Sequence, residues 1–361
     1  MSNLYHSEFW IQNTRIAENE PTYFIADIGA NHDGDLSRAK DLIWLAKEAG
    51  ADCAKFQHFL ADGIVSDVGF SQMKEQKSHQ ATWKKSVREV YDQYHTKRNW
   101  TEALITTCEE ASITFMTTPY DLAAVRLFSS RIPAYKIGSG DITYTQLILE
   151  IASQGAPVLL ATGASSMHEV IEAVEVTLSK NPSMCLMQCN TNYTGDSKNF
   201  EYVNLNVLKT FASRWPGMPL GLSDHTPGHS AVLGAITLGA RIIEKHFTDD
   251  NSRQGPDHSF ALNPETWRAM VLASRELEAA LGDGIKRVEA NEEDTVVVQR
   301  RALRATKDLP MGHMLQDGDF EPLRPCEPDN CLPSQASQII GKCLQSRILR
   351  GEAISWQNLS S

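Results

Sequence analysis

From residue 23 onward, short apolar runs of strand length alternate eight times with longer helix-like segments. The runs occupy residues 23–28, 53–56, 113–116, 134–137, 157–160, 184–189, 219–222 and 240–245. Parallel βα units produce this alternation, because strands covered on both faces read as continuous apolar stretches. Helix signals fill the gaps. Residues 37–49 have Ser37 at the N-cap and Gly50 just past the end, and after the eighth run Asn263 and Pro264 open a helix reaching about residue 281. Eight repeats favour a closed (β/α)8 TIM barrel over an open doubly wound sheet. The polar residues Asp27, Lys55, Gln57, Lys136, Ser139, Tyr193, Ser223, His225 and His246 all fall at or just beyond the C-terminal ends of the runs, where a barrel gathers its functional groups.

Residues 60–99 interrupt the rhythm with a polar, aromatic-containing stretch. It is predicted to be an inserted loop at the catalytic mouth, shaping the pocket or making a solvated excursion. The barrel domain is expected over residues 1–282 and a charged, glycine-containing linker over 283–299. From Arg300 the texture changes to short β-prone pieces between turn signals, LPMG at 309–312, DGD at 317–319 and RGE at 350–352. Residues 300–361 therefore read as a small, mostly-β domain, marginal alone and in need of a surface to dock on.

A chain of 361 residues exceeds what one core usually supports, which agrees with this division. No apolar run approaches the ~20 residues that span a bilayer, and residues 1–10 lack the basic start and apolar middle of a secretory signal. The expectation is a cytoplasmic protein without membrane attachment. The net charge of −11 excludes the clustered cations of a nucleic-acid protein, so positive groups for an anionic substrate must be local. The seven cysteines form no disulfide framework. Cys185 with Cys189 and Cys326 with Cys331 lack the two-residue gap of zinc pairs.

Lys55 and Lys136 each sit in an apolar run, where a bare ammonium is costly. Either a phosphorylated, carboxylated substrate supplies the counter-charge, or a buried carboxylate such as Asp27 does. His225 and His246 end neighbouring runs. Their imidazoles can converge on one first-row cation, Mn²⁺, Fe²⁺, Co²⁺ or Zn²⁺, or each can make a structural hydrogen bond. His229 follows Pro227 and Gly228 and reads as structural. Asp27, Asp141 and Asp257 can orient sugar hydroxyls or move protons, and capping or solvation are the ordinary alternatives.

Several ordered stretches resemble the sialic acid synthase family, with its legionaminic and pseudaminic acid synthase relatives. They are IADIGANHDG at 25–34, GAD at 50–52 leading to KFQ at 55–57, KIGSG at 136–140, GLSDHT at 221–226, EKHFT at 244–248 and GPD at 255–257. The tail, with Arg324, Pro325, IIGK at 339–342 and Trp356, resembles the antifreeze-like (β-clip) domain that closes those enzymes. The resemblance implies condensation of phosphoenolpyruvate with an N-acetylated amino sugar, N-acetylmannosamine or a diacetamido-hexose, and water, giving a nonulosonic acid and phosphate. It implies that Lys55, Gln57, Lys136, Ser139 and Ser223 hold phosphoenolpyruvate and that His225 and His246 bind Mn²⁺ or Mg²⁺. Asp27 and Asp257 join the two histidines in catalysis. Asp141, Thr191, Tyr193 and Asp257 face the sugar, with Arg324 reaching it from the partner subunit of a domain-swapped homodimer.

Four positions depart from the family pattern. Asp27 and Asp141 stand where glutamate is usual, Ala161 where a phosphate-contacting serine is usual, and Thr191 where asparagine is usual. The sugar contacts are thus altered more than the metal and phosphate contacts. Two other readings compete: a 3-deoxy-sugar-phosphate synthase, which would need a second basic site, and a carbohydrate-binding barrel without activity. The retention of costly lysine and histidine pairs speaks against the latter.

Overall fold

The computed structural model describes residues 4–73, 80 and 83–360. The chain forms two compact units, Met1–Gly282 and Asp283–Ser361. The first unit opens with an antiparallel hairpin, β1 (Phe9–Ile11) and β2 (Thr14–Ile16). Eight parallel strands follow: β3 (Tyr23–Asp27), β4 (Cys53–His58), β5 (Thr114–Pro119), β6 (Tyr135–Ile137), β7 (Val158–Ala161), β8 (Met184–Cys189), β9 (Leu220–Asp224) and β10 (Ala240–His246). They close into a barrel in sequence order, with β10 pairing β3. The eight predicted runs correspond to these strands, and the TIM-barrel expectation holds.

Alternation along each strand separates two cores. Phe24, Ala26, Ala54, Phe56, Leu160, Leu186, Leu222 and Ile243 belong to the layer packed with the surrounding helices. Tyr23, Ile25, Cys53, Met116, Leu159, Cys185, Met187 and Ile242 point into the lumen. Phe9, Ile11 and Ile16 join this inner cluster, so the hairpin seals the N-terminal end of the barrel. The sequence reading began at residue 23 and missed it. It also placed an N-cap at Ser37, whereas the helix is Leu36–Glu48 and Asp35 accepts from the Ser37 and Arg38 amides. The helix Pro264–Leu281 starts as expected, capped by Asn263.

The insertion after β4 carries short helices Ala61–Ile64, Asp67–Gln72 and Val87–Tyr94. Residues 74–79, 81 and 82 of that predicted loop lie outside the described residues.

In the second unit β11 (Ala302–Ala305) pairs antiparallel with β12 (Phe320–Leu323). Isolated bridges such as Leu309 to Ile348 and Leu344 to Leu359 complete the framework around a core that includes Leu303, Leu315, Ile339 and Ile354. The stretch read as a linker belongs to this unit and carries a helix at Glu293–Gln299.

Candidate active site

Because side chains alternate, the same inward positions that build the apolar floor turn polar at the C-terminal ends of the strands. Asp27, Lys55, Gln57, Thr118, Lys136, Ser223, Glu244 and His246 continue the inward series of β3, β4, β5, β6, β9 and β10.

Both lysines are paired within the protein. The Lys55 ammonium donates to Asp27 Oδ2 at 2.7 Å and to Thr118 Oγ1 at 3.2 Å. Lys136 donates to Glu244 Oε1 at 2.7 Å, and the Ser223 hydroxyl donates to the same oxygen at 3.2 Å. The buried-carboxylate alternative thus describes this state, with Glu244 as a partner that sequence reading passed over. Burial alone would push the Asp27 carboxyl up, but Lys55, His246 and Gln57 outweigh it and hold the group below its ordinary range. Glu244 behaves alike, with Lys136 and Lys55 overcoming burial. Asp27 Oδ1 and Glu244 Oε2 are buried and find no protein partner among the described residues.

The two histidines converge, their ring centroids 5.5 Å apart. His225 Nδ1 lies 3.0 Å from the Asn190 carbonyl, which favours the tautomer with a free lone pair on Nε2. His246 is flanked by Asp27 Oδ2 at 3.7 Å and Asp257 Oδ2 at 3.5 Å, and its buried Nδ1 has no hydrogen-bond partner among the described residues. Two converging imidazoles are donors of the kind a first-row divalent cation takes, with the remaining positions left to other ligands. Among the described residues no cluster of three or more His, Cys, Asp or Glu side chains forms a metal cage. His229 occupies the N-cap position of the helix Ser230–Thr237, with no capping hydrogen bond from its side chain.

The other predicted residues surround these. Gln57 Nε2 donates to Asp27 at 3.0 Å, and Asp257 accepts from the Ala30 amide at 3.2 Å. The Tyr193 ring packs edge-on against His225 at 4.5 Å. Ser139 Oγ accepts from the Gly163 amide at 2.9 Å. A Cβ at Gly163 would collide with Thr191, so only glycine leaves this hollow open. Asp141 ends the single turn Ser139–Asp141, where burial pushes its carboxyl up to about 6. Gly29, with φ of +48°, turns the chain beneath Asp257, Gln57 and His246, where a Cβ would meet all three. Arg324 belongs to the second unit and is exposed there, immediately after β12.

Residues 42–286 match the NeuB family and residues 300–360 match the SAF domain. The chain belongs to the NeuB family. It is 32% identical over 345 residues to the N,N'-diacetyllegionaminic acid synthase of Legionella pneumophila, covering 94% of this chain and 95% of that one. It is 30% identical to the human N-acetylneuraminate-9-phosphate synthase, covering 91% and 89%. A solved N-acetylneuraminic acid synthetase from Leptospira borgpetersenii, in complex with citrate, superposes with a TM-score of 0.69 at 28% identity, covering 80% of this chain and 95% of that one. Nonulosonic acid synthesis is therefore the family chemistry, and the antifreeze-like domain expected from the tail is the SAF domain.

Proposed function

We propose that this NeuB-family chain condenses phosphoenolpyruvate with an N-acetylated amino sugar and water, releasing phosphate and a nonulosonic acid. The observation that carries the reading is the convergence of Lys55, Lys136 and Ser223 with the His225 and His246 pair at one barrel mouth. Lys55 and Lys136, with Gln57, Ser139 and Ser223, hold the anionic groups of phosphoenolpyruvate, and their present carboxylate partners supply the counter-charge until it arrives. His225 and His246 hold Mn²⁺ or Mg²⁺, which supplies Lewis acidity toward an aldehyde oxygen. Asp27 and Asp257 stand beside His246 to receive or return protons, while Asp141, Thr191 and Tyr193 face the sugar. In the reaction C3 of phosphoenolpyruvate bonds to the aldehyde carbon, water oxygen bonds to C2, the C2–O bond to phosphate breaks, and the new alkoxide takes a proton. Cytoplasmic residence is in keeping with seven free cysteines.

Incubation with phosphoenolpyruvate, Mn²⁺ and a panel of N-acetylated hexosamines should release phosphate and yield a product heavier than the sugar by one pyruvic acid. Chelation, or His225→Ala or His246→Ala, should abolish turnover, and full activity after exhaustive chelation would remove the metal from the scheme.

The proposed assembly is a homodimer in which Arg324 completes the partner's site. Mixing inactive His246→Ala and Arg324→Ala chains should restore about a quarter of wild-type activity, since random pairing makes half the dimers mixed with one good site in two. No recovery from verified mixed dimers refutes the crossing arm.

A further inference from the structure

The loop that follows β10 carries Asp257 to His246, and its two ends are joined. The Thr248 amide donates to the Leu262 carbonyl at 2.9 Å, and the Leu262 amide donates to the His246 carbonyl at 2.8 Å. Asn251 ties the interior, its Nδ2 donating to the His258 carbonyl at 2.8 Å and to the Ala261 carbonyl at 2.7 Å. The proposed chemistry gives no task to the buried histidine of this loop. The His258 ring is wholly enclosed, with Nδ1 2.7 Å from Thr248 Oγ1 and Nε2 2.9 Å from Asp33 Oδ1. A carboxylate only accepts, so Nε2 carries the hydrogen and Nδ1 accepts from the Thr248 hydroxyl. The other Asp33 oxygen accepts from Arg253 Nε at 3.0 Å and from its terminal nitrogen at 2.8 Å, which returns the contact to the same loop. Gly255 lies against the ring, where a Cβ would stand 2.6 Å from Cδ2.

We propose that His258 is a positioning residue for the condensation proposed above, on which this inference rests: held between Asp33 and Thr248, it fixes the Asp257 carboxylate beside His246. Ala30 and Asp33 both belong to the turn after β3, so one turn grips two consecutive residues of the β10 loop. The Ala30 amide donates to Asp257 Oδ2 at 3.2 Å, and Asp33 accepts from the His258 ring. The Asp257 contact is the longer of the two, and Oδ2 stands 3.5 Å from His246 Nδ1. Its place is therefore set by the backbone that His258 anchors. A ring that only filled space would need neither nitrogen, whereas both are engaged here. Displacing a reacting group by about 1 Å costs on the order of a hundredfold in rate, which is the scale at stake.

Glutamine carries its amide near the place of Nε2 and asparagine near that of Nδ1, so the two substitutions separate the ring's contacts. His258→Leu and His258→Asn should lower kcat about a hundredfold, with KM for phosphoenolpyruvate within about twofold, because the Lys55 and Lys136 contacts are untouched. His258→Gln, which keeps the bond to Asp33, should recover at least about tenfold of that loss while gaining no stability over His258→Asn in urea unfolding. Asp33→Gly, at a φ of +55° that suits glycine, removes the acceptor and should reproduce the loss if His258→Leu folds poorly. A crystal structure of metal-free His258→Leu, or of Asp33→Gly in its place, reads the clamp without turnover: Asp257 Oδ2 should leave the Ala30 amide. Parental kcat in the folded variants, equal losses in His258→Gln and His258→Asn, or an unmoved Asp257 carboxylate would each reduce His258 to a structural residue and overturn the proposal. If the parent protein releases no phosphate from phosphoenolpyruvate, the condensation fails, and the position of Asp257 in the variant structure still decides the clamp.

Discussion

Two kinds of buried ion pair lie within a few residues of each other on β10, one on each face of the sheet. On the helix-facing side, Lys245 donates to Asp224 Oδ2 at 2.5 Å and to the Thr226 carbonyl at 2.6 Å. Asp224 also accepts from the Thr226 amide at 3.0 Å and from its hydroxyl at 2.9 Å. That network uses both carboxylate oxygens. On the lumen side, the pairs of Lys55 with Asp27 and Lys136 with Glu244 each leave one buried carboxylate oxygen without a partner among the described residues. A fully satisfied pair fixes structure, here the turn that delivers His225. A pair with an open oxygen leaves a buried acceptor for a further donor.

Breaking the outer pair should have the largest effect. Lys245→Met leaves Asp224 buried without its counter-charge and should cost about 3–5 kcal/mol of stability, read from urea unfolding. Apparent affinity for phosphoenolpyruvate in the protein that remains folded should be unchanged, and a large change there would erase the distinction between the two faces.

The inner pairs should fail differently. Lys136→Met should lower kcat/KM for phosphoenolpyruvate about a hundredfold, or about 2.7 kcal/mol of transition-state stabilisation. It also strands Glu244, so the fold is not expected to escape unharmed. Adding Glu244→Gln should restore stability but not turnover, and Lys55→Met with Asp27→Asn should behave in parallel. Recovery of turnover in the double variant would make the lumen pairs as structural as the outer one.

The smallest effect concerns Asp141. Its carboxyl is raised in the folded chain to about 6, so folding favours its protonated form. The stability penalty for ionisation therefore grows as pH rises from the unfolded value through about 6, and is complete above it. Asp141→Asn should be more stable than the parent at pH 7.5 and no more stable at pH 3.5. The acceptor kcat/KM should lose a titration near pH 6, and a profile unaltered by the substitution would place Asp141 outside the sugar site.

The barrel was legible because buried parallel strands leave unbroken apolar runs, and the mouth because polar residues such as Lys55 and His246 stand at their ends. Partnerships were not legible. Asp27 and Lys55 are 28 positions apart and Lys136 and Glu244 are 108 apart, so only strand closure and register bring them together. Glu244 and Lys245 are adjacent charged residues in one run, and which faces the lumen depends on phase alone. The hairpin was missed because three-residue strands carry too little periodicity, and what buries Phe9 and Ile11 is a cavity made by residues far along the chain. Asp35 and Ser37 are both good caps, and the choice belonged to the local backbone.

The β1–β2 hairpin also bears on traffic through the molecule. With its floor stoppered by Phe9, Ile11 and Ile16, the lumen is a cul-de-sac whose entrance is also its exit. Glu244 stands two residues below His246 on β10, roughly 6–7 Å deeper along the strand. On the proposed assignment phosphoenolpyruvate occupies the lower berth and the sugar the upper one, so the sequence of boarding is fixed by geometry: the enol must enter before the sugar, and a sugar arriving early blocks the way in.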